Sequence, residues 1–268
     1  MAVSGNFTKG ARLSKLHMKF IIGFFMAWGN FITLPCPYKR WDGSLKNMML
    51  AFLPSVGFVI GLLWAGLFWI LLRTGISPLL IGFVMMFYIF AICGFMHMDG
   101  FMDCNDAIMS RRPLEERQRI LKDSTVGAFA VVTVVFLLIA WFAAMNTAIY
   151  RIGYADLLIL PVVSRAISGI SVLLYQPIGH SQYAEDYKAA GRWKYRLAVL
   201  AQTVAVYGIA VLLGGGWLKL LVIAAVICGA GFLACLYARK QLGGMSGDIA
   251  GYTICISELA GVFALAIL

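Results

Sequence analysis

At 268 residues, 62% of them hydrophobic and only 13% charged, the chain is too apolar for a soluble domain of its size and reads as an all-α, polytopic membrane protein. Basic loops on one side of a bilayer account for most of the formal net charge of +10, and the sequence shows no nucleic-acid module, P-loop or serine or cysteine triad that would give that charge another use. Cys36, Cys93, Cys104, Cys228, Cys235 and Cys255 are scattered without C-x-x-C spacing, so neither a zinc site nor a disulfide framework is indicated.

In chain order, Lys9, Arg12, Lys15 and Lys19 alternate with Leu13, Leu16 and Phe20 at helical spacing, the pattern of a short helix lying on an anionic membrane surface. Residues 20–35 are short for a crossing, which needs about 20 apolar positions, and they contain Gly23, Gly29 and Asn30. No small-residue cleavage site follows, which argues against a secretory signal. Seven better spans are expected near 47–72, 79–96, 127–149, 156–175, 197–213, 217–237 and 249–268.

If residues 20–35 dip in and return, every Lys and Arg except Arg73, Arg151, Lys219 and the intramembrane Arg165 falls on one side. If they cross, Lys9, Arg12, Lys15 and Lys19 move away from the rest, which obeys the positive-inside rule less well. The expected architecture is therefore a single membrane-embedded unit of about seven transmembrane helices plus a short re-entrant or interfacial segment. The large polar loops and all acids except Asp156 and Glu258 share the basic face. That face is expected to be cytoplasmic, in a bacterial inner membrane. A single chemically equipped face suggests an enzyme at the surface, because a transporter would carry polar groups through its middle.

The densest polar stretch on that face is His97 to Asp106. If the chain is helical there, Asp99, Asp103 and Asp106 lie at i, i+4 and i+7, on one stripe. Three carboxylates so close do not all stay ionised without a positive partner, and hard oxygen ligands suit Mg²⁺ or Mn²⁺ together with phosphate oxygens. A solvated acidic loop is the plainer alternative. His97 is placed to be a ligand or an acid–base group. Downstream, a short helix opens at Arg111-Arg112-Pro113 and ends at Lys122-Asp123-Ser124. Asp123 or Ser124 can cap the span that begins near Gly127, and a helix start beside Lys122 suits a phosphate.

Arg165, beside Ser164 inside an apolar span, marks an anion partner facing the bundle interior, and Glu258 raises the same question in the last span. The loop 176–194 is long enough to cover a bound substrate. In Gly243-Gly244-Met245-Ser246-Gly247-Asp248, the glycines allow backbone amides to approach a phosphate, while Asp248 either adds a ligand or caps the last helix.

Taken together, H-M-D-G-F-M-D-C-N-D-A at 97–107, R-I-L-K-D-S-T-V-G-A-F at 119–129, G-G-M-S-G-D-I-A-G at 243–251 and F-I-T-L-P-C-P at 31–37 resemble the cobalamin synthase family, the adenosylcobinamide-GDP ribazoletransferases. Departures are Thr33 where many members carry arginine, Ile108-Met109-Ser110-Arg111 in place of a glycine-rich stretch, and a poorly matched loop at 176–194. The resemblance implies a Mg²⁺-dependent membrane enzyme that joins adenosylcobinamide-GDP to α-ribazole or its phosphate and releases GMP. On that basis Asp99, Asp103 and Asp106 are expected as metal ligands. Arg165, Ser124, Gly243, Gly244 and Gly247 are expected at the substrate, with Lys122 neutralising phosphate charge and Asp123, Asp248 or His97 taking the proton. The expected partners are the two small-molecule substrates and the lipid bilayer, with no nucleic acid, and a homo-oligomer is compatible with the sequence. The alternatives are a CDP-alcohol phosphotransferase, whose D-x-x-D-G…A-R pattern is not matched here, and a cation transporter with an acidic site.

Overall fold

The computed structural model describes residues 4–179 and 191–268, with side chains described from residue 17 onward. His180, Glu185, Asp186 and Lys188 of the expected covering loop, and the side chains of Lys9, Arg12 and Lys15, therefore lie outside the described residues. The described chain is helical: α1 (Ser4–Phe31), α2 (Lys46–Ala51), α3 (Leu53–Leu71), α4 (Pro78–Ala91), α5 (Met96–Met109), α6 (Leu114–Ile120), α7 (Ala128–Ala148), α8 (Tyr154–Leu174), α9 (Arg192–Leu212), α10 (Trp217–Leu242) and α11 (Gly247–Ile267). Six of these, α3 and α7 to α11, are long and apolar enough to cross a membrane. The α4–α5 pair passes the same test jointly, as a crossing bent by 81°.

Three elements differ from the sequence expectation. The surface helix and the short segment after it are one helix, α1, because no proline interrupts the chain before Pro35. Gly23, noted in the sequence as part of the short segment, is where Met48 of α2 packs onto α1: a Cβ there would lie 2.7 Å from Met48 Cγ. The expected span 47–72 is divided at Phe52, because Pro54 has no N–H to offer Leu50 and opens α3 instead. The span expected at 79–96 stops at Ala91. Gly94 (φ 61°) and Phe95 (φ 60°) are left-handed, and Thr33 N donates to Ile92 O (2.9 Å), so the F-I-T-L-P segment is tied to the bend.

The most enclosed helices are α8 and α11. α3 lies against α8 through Gly57 and Gly61, four residues apart, where a Cβ would fall 2.5 Å from Pro161 O and 2.7 Å from Leu157 O respectively. Small residues at this spacing let two helix backbones approach in lipid, where packing drives association. Between α8 and α11, Arg165 Nη1 donates to Glu258 Oε1 (2.5 Å), Ser164 Oγ donates to the same oxygen (2.9 Å), and Arg165 Nη2 reaches Cys93 Sγ (3.3 Å).

The two ends of the bundle differ chemically. At one end Arg151 Nη1 donates to Ala266 O (2.7 Å) and Lys219 pairs with Asp156 (2.6 Å). At the other, Gln118 Nε2 donates to Leu242 O (2.8 Å), Ile178 N to Met245 O (2.9 Å), and α5 meets the starts of α7 and α11. The acidic motif, the K-D-S segment and the glycine turn thus share one end.

Candidate active site

α5 carries all three stripe aspartates within one unbroken helix. It runs antiparallel along the first turns of α11: His97 O accepts from Cys255 Sγ (3.2 Å), Phe101 stacks on Tyr252 at 5.5 Å, and Gly100 meets the backbone of Asp248. Gly100 is thus level with the first turn of α11, and Asp103, one turn later, lies beyond it, outside the apolar spans. The absence of a side chain at Gly100 permits this approach, since a Cβ would lie 2.8 Å from both Asp248 Cα and O. On the opposite flank, Asp106 lies over Gly127, the residue preceding α7, so closely that a Cβ at Gly127 would fall inside its carboxylate. A carboxylate at a helix start is favoured there by the unpaired N–H groups and the helix dipole.

Asp99, Asp103 and Asp106 line one narrow crevice, closed by Thr125, Val126 and Gly127. Partial burial, and then the charges of Asp99, Asp248 and Asp106, push the Asp103 carboxyl up to about 7. Three neighbouring carboxylates thus act on Asp103, and this donor set suits a hard divalent cation. Among the described residues no three acidic, histidine or cysteine side chains already converge on one point. That is compatible with Mg²⁺, which commonly takes one or two carboxylates and completes its shell with water and substrate phosphate oxygens.

The crevice joins larger spaces on both flanks. Through Asp99 it meets a cavity of about 280 Å³, whose polar wall includes Asn30, Lys46, His97, Ser168 and Asp248. His97 is 8% exposed, and its Nε2 has no hydrogen-bond partner among the described residues. Through Asp106 it meets a cleft shared with Ser110, Arg112 and Asp123, and this continues into a groove lined by Arg111, Arg112, Arg117, Tyr237 and Gln241. Arg111 holds a left-handed backbone (φ 53°) at the rim, a conformation uncommon outside glycine and often stored at functional sites.

A family model described as cobalamin-5-phosphate synthase matches residues 23–266. The chain belongs to this family. It is accordingly an enzyme of cobalamin assembly, and the carboxylate crevice lies within the matched region. Curated relatives named adenosylcobinamide-GDP ribazoletransferase include that of Clostridium perfringens (strain 13 / Type A), 34% identical over 91% of this chain and 96% of its own. That of Clostridium botulinum (strain Alaska E43 / Type E3) is 33% identical over 90% of this chain and 96% of its own. That of Geobacillus kaustophilus (strain HTA426) is 30% identical over 87% and 90%. No solved structure matches the chain.

The sequence-derived candidates separate into two groups. Asp99, Asp103, Asp106, His97, Asp248 and Gly247 line the crevice or the adjoining cavity. Arg165 does not: at 1% exposure its anion is Glu258 of the same bundle, where the sequence reading placed a substrate phosphate. Gly243 and Gly244 are packed against Leu114, Gln118 and Ile178, and face a separate groove with Arg239 and Lys240. Neither Asp123 nor Ser124 caps α7. Gly127 precedes that helix, while Asp123 accepts from Thr125 N (3.0 Å) and Oγ1 (2.8 Å). Asp123 still borders the Asp106 cleft, whereas Lys122 and Ser124 are exposed and line neither flank. The cap of α11 is Ser246, whose Oγ accepts from Ile249 N (3.3 Å), which leaves Asp248 to face α5.

Sequence reasoning missed Lys46, Trp41 and Ser168 as lining residues. Lys46 had one usable signal, its place on the same charged face as the acids. The other two become neighbours only when α2, α5, α8 and α11 pack.

Proposed function

We propose that this site transfers the cobinamide phosphoryl group of adenosylcobinamide-GDP to a ribose hydroxyl of α-ribazole or its phosphate, with one or two of the carboxylates Asp99, Asp103 and Asp106 holding Mg²⁺. One observation carries the reading: Asp103 lies within the field of Asp99, Asp106 and Asp248 at one end of the bundle, beside a crevice joined on one side to a 280 Å³ cavity and on the other to an arginine-lined groove. The names of the curated relatives supply the substrates.

In this reaction the acceptor oxygen bonds to the phosphorus attached to cobinamide, the P–O bond to the GMP portion breaks, and the hydroxyl proton passes to a base. The chain's part is to position the two substrates and hold compensating charge. Mg²⁺ held by the stripe carboxylates would supply charge compensation to the phosphate undergoing substitution. The carboxylates of Asp99 and Asp248, which line the 280 Å³ cavity, are the proton acceptors available to a hydroxyl bound there. Arg111, Arg112 and Arg117 offer planar donors to phosphate. The transporter alternative loses ground, because the one mid-bundle carboxylate described on α11, Glu258, is already paired with Arg165. The test is purified protein with adenosylcobinamide-GDP, α-ribazole and Mg²⁺. GMP release with matching cobalamin formation is expected, and absence of both refutes the reading.

A further inference from the structure

The two spaces flanking the crevice differ in chemistry. The 280 Å³ cavity sets apolar side chains, among them Trp41, Leu53 and Val172, beside a polar wall that includes Asn30, Lys46 and the carboxylates of Asp99 and Asp248. Its size is at the lower limit of small-molecule pockets, which run about 300–1,000 Å³, so it admits one bicyclic nucleoside and excludes a corrin ring. A phosphate is disfavoured there, because Asp99 and Asp248 would repel it. An N-glycosylated alkylbenzimidazole has no ring N–H and a single ring acceptor, so it leaves few polar atoms to satisfy against the apolar side chains. A nucleoside diphosphate, in turn, suits the arginine groove on the far side of α5.

We infer that the cavity bounded by α1, α2, α5, α8 and α11 is the acceptor subsite. The apolar heterocycle of the acceptor nucleoside lies between Trp41, Leu53 and Val172, and its ribose faces Asp99 and Asp248. This rests on the reaction proposed above and adds which substrate occupies which flank. Two observations support it: the apolar side chains of the cavity beside Asp99 and Asp248, and the arginines of the opposite groove, which draw the diphosphate to the other flank.

The experiment is steady-state kinetics with each substrate varied in turn, on wild type, Val172→Phe and Trp41→Ala. Trp41 is 59% exposed, so its truncation leaves the core intact and decides the matter if Val172→Phe fails to fold. The expected result is a KM for α-ribazole raised at least about tenfold, with the KM for adenosylcobinamide-GDP within about twofold of wild type. Guanosine should not compete with α-ribazole in the wild-type enzyme. Equal increases for both substrates, an increase for adenosylcobinamide-GDP alone, no increase, or competition by guanosine would each overturn the assignment. A wild-type control that releases no GMP would instead overturn the reaction itself, so the two failures are distinguishable.

Discussion

Replacing Arg165 with Met tests whether that arginine serves the bundle or the substrate. Glu258 is 2% exposed, and its Oε1 receives two hydrogen bonds, from Arg165 Nη1 at 2.5 Å and Ser164 Oγ at 2.9 Å. Arg165→Met leaves the carboxylate with one neutral donor in a bundle interior. Removing one partner of a buried pair costs about 3–5 kcal/mol, most of it the penalty of the charge left behind. The double variant Arg165→Met/Glu258→Leu removes both charges, and Ser164 keeps Pro161 O as its acceptor at 3.2 Å. Because apolar replacement of a whole buried pair is often neutral or stabilising, the double variant should regain most of the loss. The assay is SDS titration of the detergent-solubilised protein, followed by circular dichroism. If Arg165→Met unfolds within about 1 kcal/mol of wild type, inside the spread of an ordinary substitution, and yet loses affinity for adenosylcobinamide-GDP, Arg165 is a substrate ligand and the pairing argument is wrong.

Asp103→Asn should lower turnover at least about a hundredfold, the scale of removing one electrostatic element from a reaction centre, with unchanged helicity. Chelation should abolish wild-type activity and added Mg²⁺ restore it, and turnover that survives exhaustive chelation would remove the metal from the proposal. Gly100→Ala places a methyl 2.8 Å from Asp248 Cα and O, so α5 and α11 must separate. A loss of about 1–3 kcal/mol together with reduced turnover is expected, and wild-type values for both would show that the helices do not touch there. Asp103 also predicts a pH dependence in metal-free protein. With its carboxyl raised to about 7, the folded chain holds the proton more tightly than the unfolded chain does. That stabilisation is complete below the ordinary aspartate value of about 3.9 and is lost as pH rises through about 7. Wild type should therefore lose stability relative to Asp103→Asn between about pH 4 and pH 8, and a pH-independent difference would mean that the neighbouring charges do not act on it.

The acidic stripe was legible because all its members lie on one helix, where spacing alone dictates a shared face. Sidedness was legible for a similar reason: charge bias along the chain reports which loops share an end, and Asp156, Arg151 and Lys219 do lie opposite the carboxylates. The breaks at Phe52 and at Gly94–Phe95 were not, since an apolar run continues through both and hydropathy does not register a lost N–H or a left-handed turn. Arg165 shows the other limit. Its burial was expected and its partner was not resolved, because Glu258 lies 93 residues away and two helices must pack before either charge has a counter-ion.

By itself the sequence determined the membrane class, the helical content, the shared face of Asp99, Asp103 and Asp106, and the family resemblance, because each depends on composition or on spacing along one element. Tertiary structure decided that Asp248 joins the aspartates, that Arg165 turns inward, and that an apolar cavity and an arginine groove lie on opposite flanks of α5. These are distances between helices, and they depend on how closely backbones approach at Gly57, Gly61, Gly100 and Gly127, where a single methyl group would force the elements apart.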